Sequence, residues 1–214
     1  MAAMSMNTVI HRAFRRDLDR FVAALDGLTP GDGRRVAQLS LAWDNFEDQL
    51  THHHEGEHEV AWPHLQRAGV SRELLDAMDA EHDVMAAALR RARDAMADLR
   101  RDPSAEHARS AATAMRGLRS ATVDHLDHEE RELEPFYLEN RDHPEVVAMG
   151  KAFAKVSPAR GGRFFAWLLD GATPEEQQAA RSTVPAPVLA VIGGVFGRGY
   201  RKTIAPVWRS GAHT

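Results

Sequence analysis

Two eleven-residue stretches of this chain repeat one another: His53-His54-Glu55-Gly56-Glu57-His58-Glu59-Val60-Ala61-Trp62-Pro63 and His125-Leu126-Asp127-His128-Glu129-Glu130-Arg131-Glu132-Leu133-Glu134-Pro135. Both read His-x3-Glu-x5-Pro. His53 and His125, Glu57 and Glu129, and Pro63 and Pro135 each stand 72 positions apart. A constant offset at three marks is an internal duplication, not two chance histidine-rich patches. A further histidine pair, His11 and His82, stands 71 apart.

The repeat is restrictive because of the pattern it interrupts. Apolar residues recur at alternating steps of three and four through His11, Phe14, Leu18, Phe21, Leu25 and Leu28, with Arg15, Arg16, Asp17, Asp19 and Arg20 on the other face. That period is the mark of a helix packed in a bundle. A second seam runs Val36, Leu39, Trp43, Phe46, Leu50, His53, Glu57 and Val60. The third runs Leu75, Met78, His82, Met85, Leu89, Ala92, Met96 and Leu99, and the fourth Ala108, Ala111, Met115, Leu118, Thr122, His125, Glu129 and Phe136. Thr29-Pro30-Gly31-Asp32-Gly33 and Gly69 supply turns, Ser71 a helix cap, and Asp102-Pro103 a cap followed by proline at the first helical position. The predicted fold is therefore all-α, an up-down-up-down four-helix bundle over residues 1–140, followed by a C-terminal helical extension over 141–214.

The polar interruptions fall at one depth. His11 lies 18 residues before Thr29 and His53 lies 20 after Gly33; Glu57 is 12 before Gly69 and His82 is 11 after Ser71; His82 is 20 before Asp102 and His125 is 22 after Pro103. At 1.5 Å per residue the mismatches amount to about 3 Å. A single histidine on a helix seam is ordinarily a hydrogen-bonded core residue, and a His/Glu pair can be an internal salt bridge. Four seams broken at one level by His and Glu alone call for something more, because burying an unpaired charge costs about several kcal/mol. Residues four apart project from one helix face, so His53 with Glu57 and His125 with Glu129 can each present nitrogen and oxygen to one centre. The candidate ligands of a two-metal site are His11, His53, Glu57, His82, His125 and Glu129. His54, one position off the seam, is a possible additional ligand or outer contact. His52, His64, His107, His128, His143 and His213 read as solvated or capping.

Composition narrows the metal. The chain has no cysteine, which removes thiolate sites, so any ion is held by imidazole and carboxylate and iron is the first choice. The 27 basic and 31 acidic residues are interleaved, for a net charge of −4, and no nucleic-acid partner is expected. Neither an export signal nor a spanning segment is recognisable. The apolar run Val184–Phe196 is short and broken by Pro185, Pro187, Gly193 and Gly194. A cytoplasmic setting is expected.

With those residues in place, the chain resembles the hemerythrin-like, or HHE cation-binding, family over about residues 7 to 140. The two eleven-residue stretches are similar to its paired signature. The resemblance implies a non-haem di-iron centre, two iron ions with an oxo bridge as one form, held by His11, His53, Glu57, His82, His125 and Glu129, with both glutamates bridging. Oxygen-carrying hemerythrins have a second histidine one turn after the position of His82, where this chain has Ala86. They also end in a histidine and an aspartate five apart, where His125 and Glu129 are four apart. These departures place the chain nearer the bacterial and iron-sensing members. The implied function is binding, sensing or reacting with a small oxidant or gas: oxygen, peroxide or nitric oxide. The alternatives are an enzyme that decomposes peroxide or reduces nitric oxide, and a structural or partner-binding bundle whose C-terminal extension docks another protein or a second copy.

Overall fold

The computed structural model describes residues 4–184 and 192–209. Helix α1 spans Met6–Asp26 and α2 spans Gly33–Gly56; a π-helical turn, Glu57–Ala61, joins α2 to α3, Trp62–Arg67; α4 spans Arg72–Arg101 and α5 spans Ala105–Glu139. Backbone angles stay right-handed helical through both junctions of the π turn, so α2, the turn and α3 form one rod. With α1, α4 and α5 it makes the expected four-helix bundle.

The helix ends follow their capping chemistry. Ser5 starts α1 by accepting from the Thr8 amide, Asp32 starts α2 by accepting from Arg35, and Ser71 starts α4 by accepting from Leu74. One expected cap moves. The cap of α5 is Ser104, whose hydroxyl accepts from the His107 amide, while Asp102 ends α4. A residue before proline is held extended, so Asp102 fits either side of the boundary, and the hydroxyl decides it. In the two tight connections Gly31 and Gly69 take φ of 85° and 107°, where L side chains are rarely found.

Proline shapes the second rod. Pro63 has no amide hydrogen and its ring crowds the carbonyl four residues back. The chain answers with wider i→i+5 bonding, the Trp62 amide donating to the Glu57 carbonyl. The extra residue per turn shifts the seam: Val60, expected inside, is only half-buried, and Ala61, Trp62 and Leu65 are buried instead.

The other apolar seam residues match the pattern except at two ends, where Leu28 and Phe136 are half-buried and Leu133 is buried instead, and the buried ones separate into two apolar clusters. The larger holds Phe14, Leu18, Phe21, Trp43, Phe46, Leu50, Met96, Met115 and Leu126. The smaller, at the other end of the rod, holds Ala61, Trp62, Leu65, Leu75, Met78 and Leu133. Between them lies the polar layer.

The chain then continues as α6 (Pro144–Phe153), α7 (Pro158–Leu168), α8 (Pro174–Thr183), a π-helical turn (Ile192–Phe196), α9 (Arg198–Thr203) and α10 (Ala205–Arg209). Thr173 and Glu176 form a capping box at the start of α8. Trp167, Leu168, Ala180, Tyr200, Ala205 and Val207 join the larger bundle cluster. Trp167 packs on Phe14 at 5.0 Å between ring centroids and Trp208 on Phe21 at 4.9 Å. This covering buries Asp17, which the period placed on the outer face. Its carboxylate accepts from the Trp167 indole at 2.8 Å and pairs with Arg16 and Arg20. Pro185, Pro187, His213 and much of the apolar run lie outside the described residues. Among the described residues no helix is long and apolar enough to cross a membrane.

Candidate metal centre

Helix α2 contributes two successive histidines because adjacent residues on a helix point about 100° apart, enough to straddle its inward line. His53 turns toward α1, its ring 5.3 Å from that of His11 and 5.2 Å from Phe14. His54 turns toward α4, its ring 4.6 Å from that of His82 and 5.7 Å from that of His125. Among the described residues, two groups offer donor atoms within 4.8 Å of one another: His11, His53, Glu57 and Glu129, and His54, Glu57, His82 and His125. All six seam candidates are therefore brought together, and His54 joins them.

Glu57 stands in both groups. Its Oε1 lies 3.1 Å from His53 Nε2 and its Oε2 lies 3.4 Å from His82 Nε2, so one carboxylate faces each cluster with a different oxygen. Glu129 turns Oε2 to His11 Nε2 at 3.1 Å. The His82 and His125 Nε2 atoms face each other at 3.1 Å. Exposure is confined to one edge, with side-chain values of 12% for His82 and 10% for His53 against 0% for His11, His125 and Glu129.

An outer set of carboxylates aims the imidazoles. Glu130 Oε1 accepts from His11 Nδ1 at 3.0 Å and is itself held by Arg15 at 2.7 Å. Glu81 accepts from His125 Nδ1 at 2.9 Å through one oxygen and from His128 Nδ1 at 2.7 Å through the other. A carboxylate only accepts, so Nδ1 of each ring carries a proton and Nε2 is the atom turned inward, with its lone pair open on His125 and open on His11 once its second proton is lost. Glu81 and Glu130 each adjoin a candidate ligand in sequence, His82 and Glu129, yet they do not orient these neighbours. They serve the histidine of the next helix instead, which spacing along one helix does not reveal. His128 is accordingly an outer contact rather than a solvated residue. Trp62, swung inward by the π turn, lies nearly parallel to the His82 ring at 5.8 Å and donates to Asp79 at 2.8 Å. His58, in the same stretch, is exposed and contacts Asp79 at 3.1 Å.

Burial and mutual repulsion set the charges. Burial, then the positive neighbours, push His53 and His54 well below the usual imidazole range, and burial followed by His125 takes His82 down to about 4. Burial, then the Glu129 carboxylate, push Glu57 well up, leaving it neutral. Burial would also lower His11 and raise Glu129, but their contact outweighs it, and they sit at about 9 and about 2 as an ion pair. Even so, His11 Nε2, His53 Nε2, His54 Nε2, both Glu57 oxygens and Glu129 Oε2 are buried with no aligned hydrogen-bond partner among the described residues. Orphaned buried groups cost about 1–3 kcal/mol each. Six in one layer, all converging and each Lewis-basic once any proton it carries is lost, fit a pair of cations.

In comparison with known proteins, a family model described as Hemerythrin HHE cation binding domain matches residues 8–137. No curated protein and no solved structure matches the chain.

Proposed function

Because the chain belongs to the hemerythrin HHE cation binding domain family, we propose that it is a non-haem di-iron protein that binds, senses or reacts with a small oxidant or gas. The observation that carries this is that Glu57, with both oxygens buried and unpartnered, is shared by two donor groups in which His11, His53, His54 and Glu129 each present a further buried, unpartnered atom. His11, His53 and Glu129 serve one ion, His54, His82 and His125 the other, and Glu57 spans both. Each ion then has four protein donors, fewer than the six of an octahedral ion, so positions remain for oxygen, peroxide or nitric oxide. Iron bound there supplies redox chemistry and affinity for such ligands. The protein's part is to fix the donors, aim the imidazoles through Glu81 and Glu130, and keep water out with Phe14, Met78, Met85 and Leu126.

Metal analysis after iron-replete expression, with absorption in the near ultraviolet where an oxo bridge absorbs, tests this reading. About two iron per chain is expected; a stable, fully folded protein without metal would overturn it. The exposed edge at His82 and His53 favours a second reading, an enzyme that turns over peroxide or nitric oxide at the ion held by His82. Turnover by the loaded protein that disappears in His82→Ala separates it from a carrier or sensor.

A further inference from the structure

The two carboxylates of the layer are not equivalent, and the cause is outside the ligand set. Both oxygens of Glu57 are free of hydrogen bonds, whereas Glu129 has only Oε2 free, because its Oε1 accepts from Asn7 Nδ2 at 2.8 Å. A carboxylate offers no proton here, so the amide nitrogen is the atom that faces it. Asn7 lies one helical turn before His11 on α1, so one helix face carries a nitrogen donor and the amide that orients the oxygen donor beside it. The helix start is fixed in turn. The Ser5 amide and hydroxyl donate to the two oxygens of Glu134 on α5 at 2.8 and 2.5 Å.

We infer that Asn7 is a positioning residue that holds Glu129 as a one-oxygen, terminal donor and thereby makes the two metal positions different. With Oε1 held by Asn7, Glu129 presents Oε2 alone, 3.1 Å from His11 Nε2 and 3.8 Å from His125 Nε2, whereas Glu57 turns a different oxygen to each cluster and is the bridging carboxylate. The position at His11 and His53 then has two imidazoles and two carboxylates. The position at His54, His82 and His125 has three imidazoles and a share of one carboxylate. The first is the harder site and holds oxygen-preferring ions more strongly; the second is softer and, through His82, closer to solvent. This rests on the two-metal reading above and replaces the pair of bridging glutamates expected from the sequence.

The test is titration of the metal-free full chain with cobalt(II), followed by visible absorption, in the wild type and in Asn7→Ala and Asn7→Leu. The leucine variant keeps the size of the side chain and the helix without the amide. The wild type is expected to fill in two resolvable steps. In both variants one step should weaken by about 10- to 100-fold, the usual cost of losing an outer contact to a metal ligand, with an altered spectrum for that step and the other unchanged. The melting temperature of the metal-free protein should fall by about a few degrees, because Glu129 Oε1 loses its donor. Titrations that superimpose on the wild type, an equal weakening of both steps, or a lowered metal-free melting temperature with unchanged steps would each overturn the assignment while leaving the two-metal reading intact. A folded wild type that takes up no cobalt would overturn both.

Discussion

The two copies of His-x3-Glu-x5-Pro have the same spacing and different physics. In the second, α5 stays regular through Pro135, His125 is aimed by Glu81, and Glu129 is ionised, paired with His11 and tied to Asn7. In the first, the helix widens into a π turn, two histidines face inward in place of one, and Glu57 is neutral with neither oxygen bonded. The ligand spacing is thus preserved by the duplication, and the roles are assigned by whatever each copy packs against. Glu129 faces α1, which supplies a cationic imidazole and an amide. Glu57 faces other ligands.

Removing each glutamate tests that difference most strongly. Glu57→Ala is expected to abolish two-ion binding, because it takes a donor from both positions and leaves imidazoles facing each other. Glu129→Ala should cost one ion and retain the other, and Glu55→Ala, on the exposed face, should cost neither. Metal content by elemental analysis reads all three. Equal losses in Glu57→Ala and Glu129→Ala would show the copies to be equivalent after all.

A smaller change makes the first copy imitate the second. The position 72 beyond His54 is Leu126, fully buried in the larger cluster. His54→Leu is expected to fold, since the second copy already buries leucine there, and to weaken the ion at His82 and His125 by more than the about 10- to 100-fold that an outer contact costs. Uptake of both ions at wild-type affinity would remove His54 from the ligand set.

That same pair of positions shows what was legible in the sequence. The bundle, its turns and the level of the polar layer follow from period and loop spacing, because apolar seams and short connections leave few other arrangements. His54 was left open because a heptad assigns one inward position where the helix in fact straddles two neighbours. Leu126 at the matching place in the repeat was the signal that this face is interior. Asn7, Glu81 and Glu130 left no such signal. Each acts on a residue of another helix, and cross-helix pairing depends on rotation about the helix axes, which an amphipathic pattern fixes only to within the width of its stripe. Asp17 was misplaced for a related reason: the face it occupies is covered by α7, whose docking site the pattern of α1 does not encode.

Proton release should separate the copies again. His11, held at about 9 by Glu129, carries its proton at pH 7 in the metal-free protein, and burial and Glu129 push Glu57 well up toward its protonated form. Both must lose a proton to bind an ion. Groups whose pKa lies above the working pH make affinity rise with pH, by about tenfold per pH unit for each proton displaced. Apparent affinity for a metal probe is therefore expected to climb steadily from pH 6 to 8. Glu129, already ionised at about 2, contributes nothing to that slope. A slope of only about one proton, the one released by His11, would mean that Glu57 is charged before the metal arrives, and the contrast with Glu129 would disappear.

The smallest expected effect concerns the two prolines. Pro135 sits inside α5 without a π turn, so it denies the helix one hydrogen bond and crowds the preceding turn. At Pro63 the π turn has already relieved that crowding and turned Trp62 onto His82 and Asp79. Pro135→Ala should therefore stabilise the chain by about 1–3 kcal/mol, seen as a rise of several degrees in melting temperature with unchanged metal content. Pro63→Ala should gain less, since a helix that closes to ordinary i→i+4 bonding withdraws Trp62 from Asp79 and gives up a half-buried hydrogen bond worth about 1 kcal/mol. If both alanines stabilise the protein equally and Trp62 emission is unaltered, the π turn is not a response to Pro63, and its cause lies in the packing around Glu57.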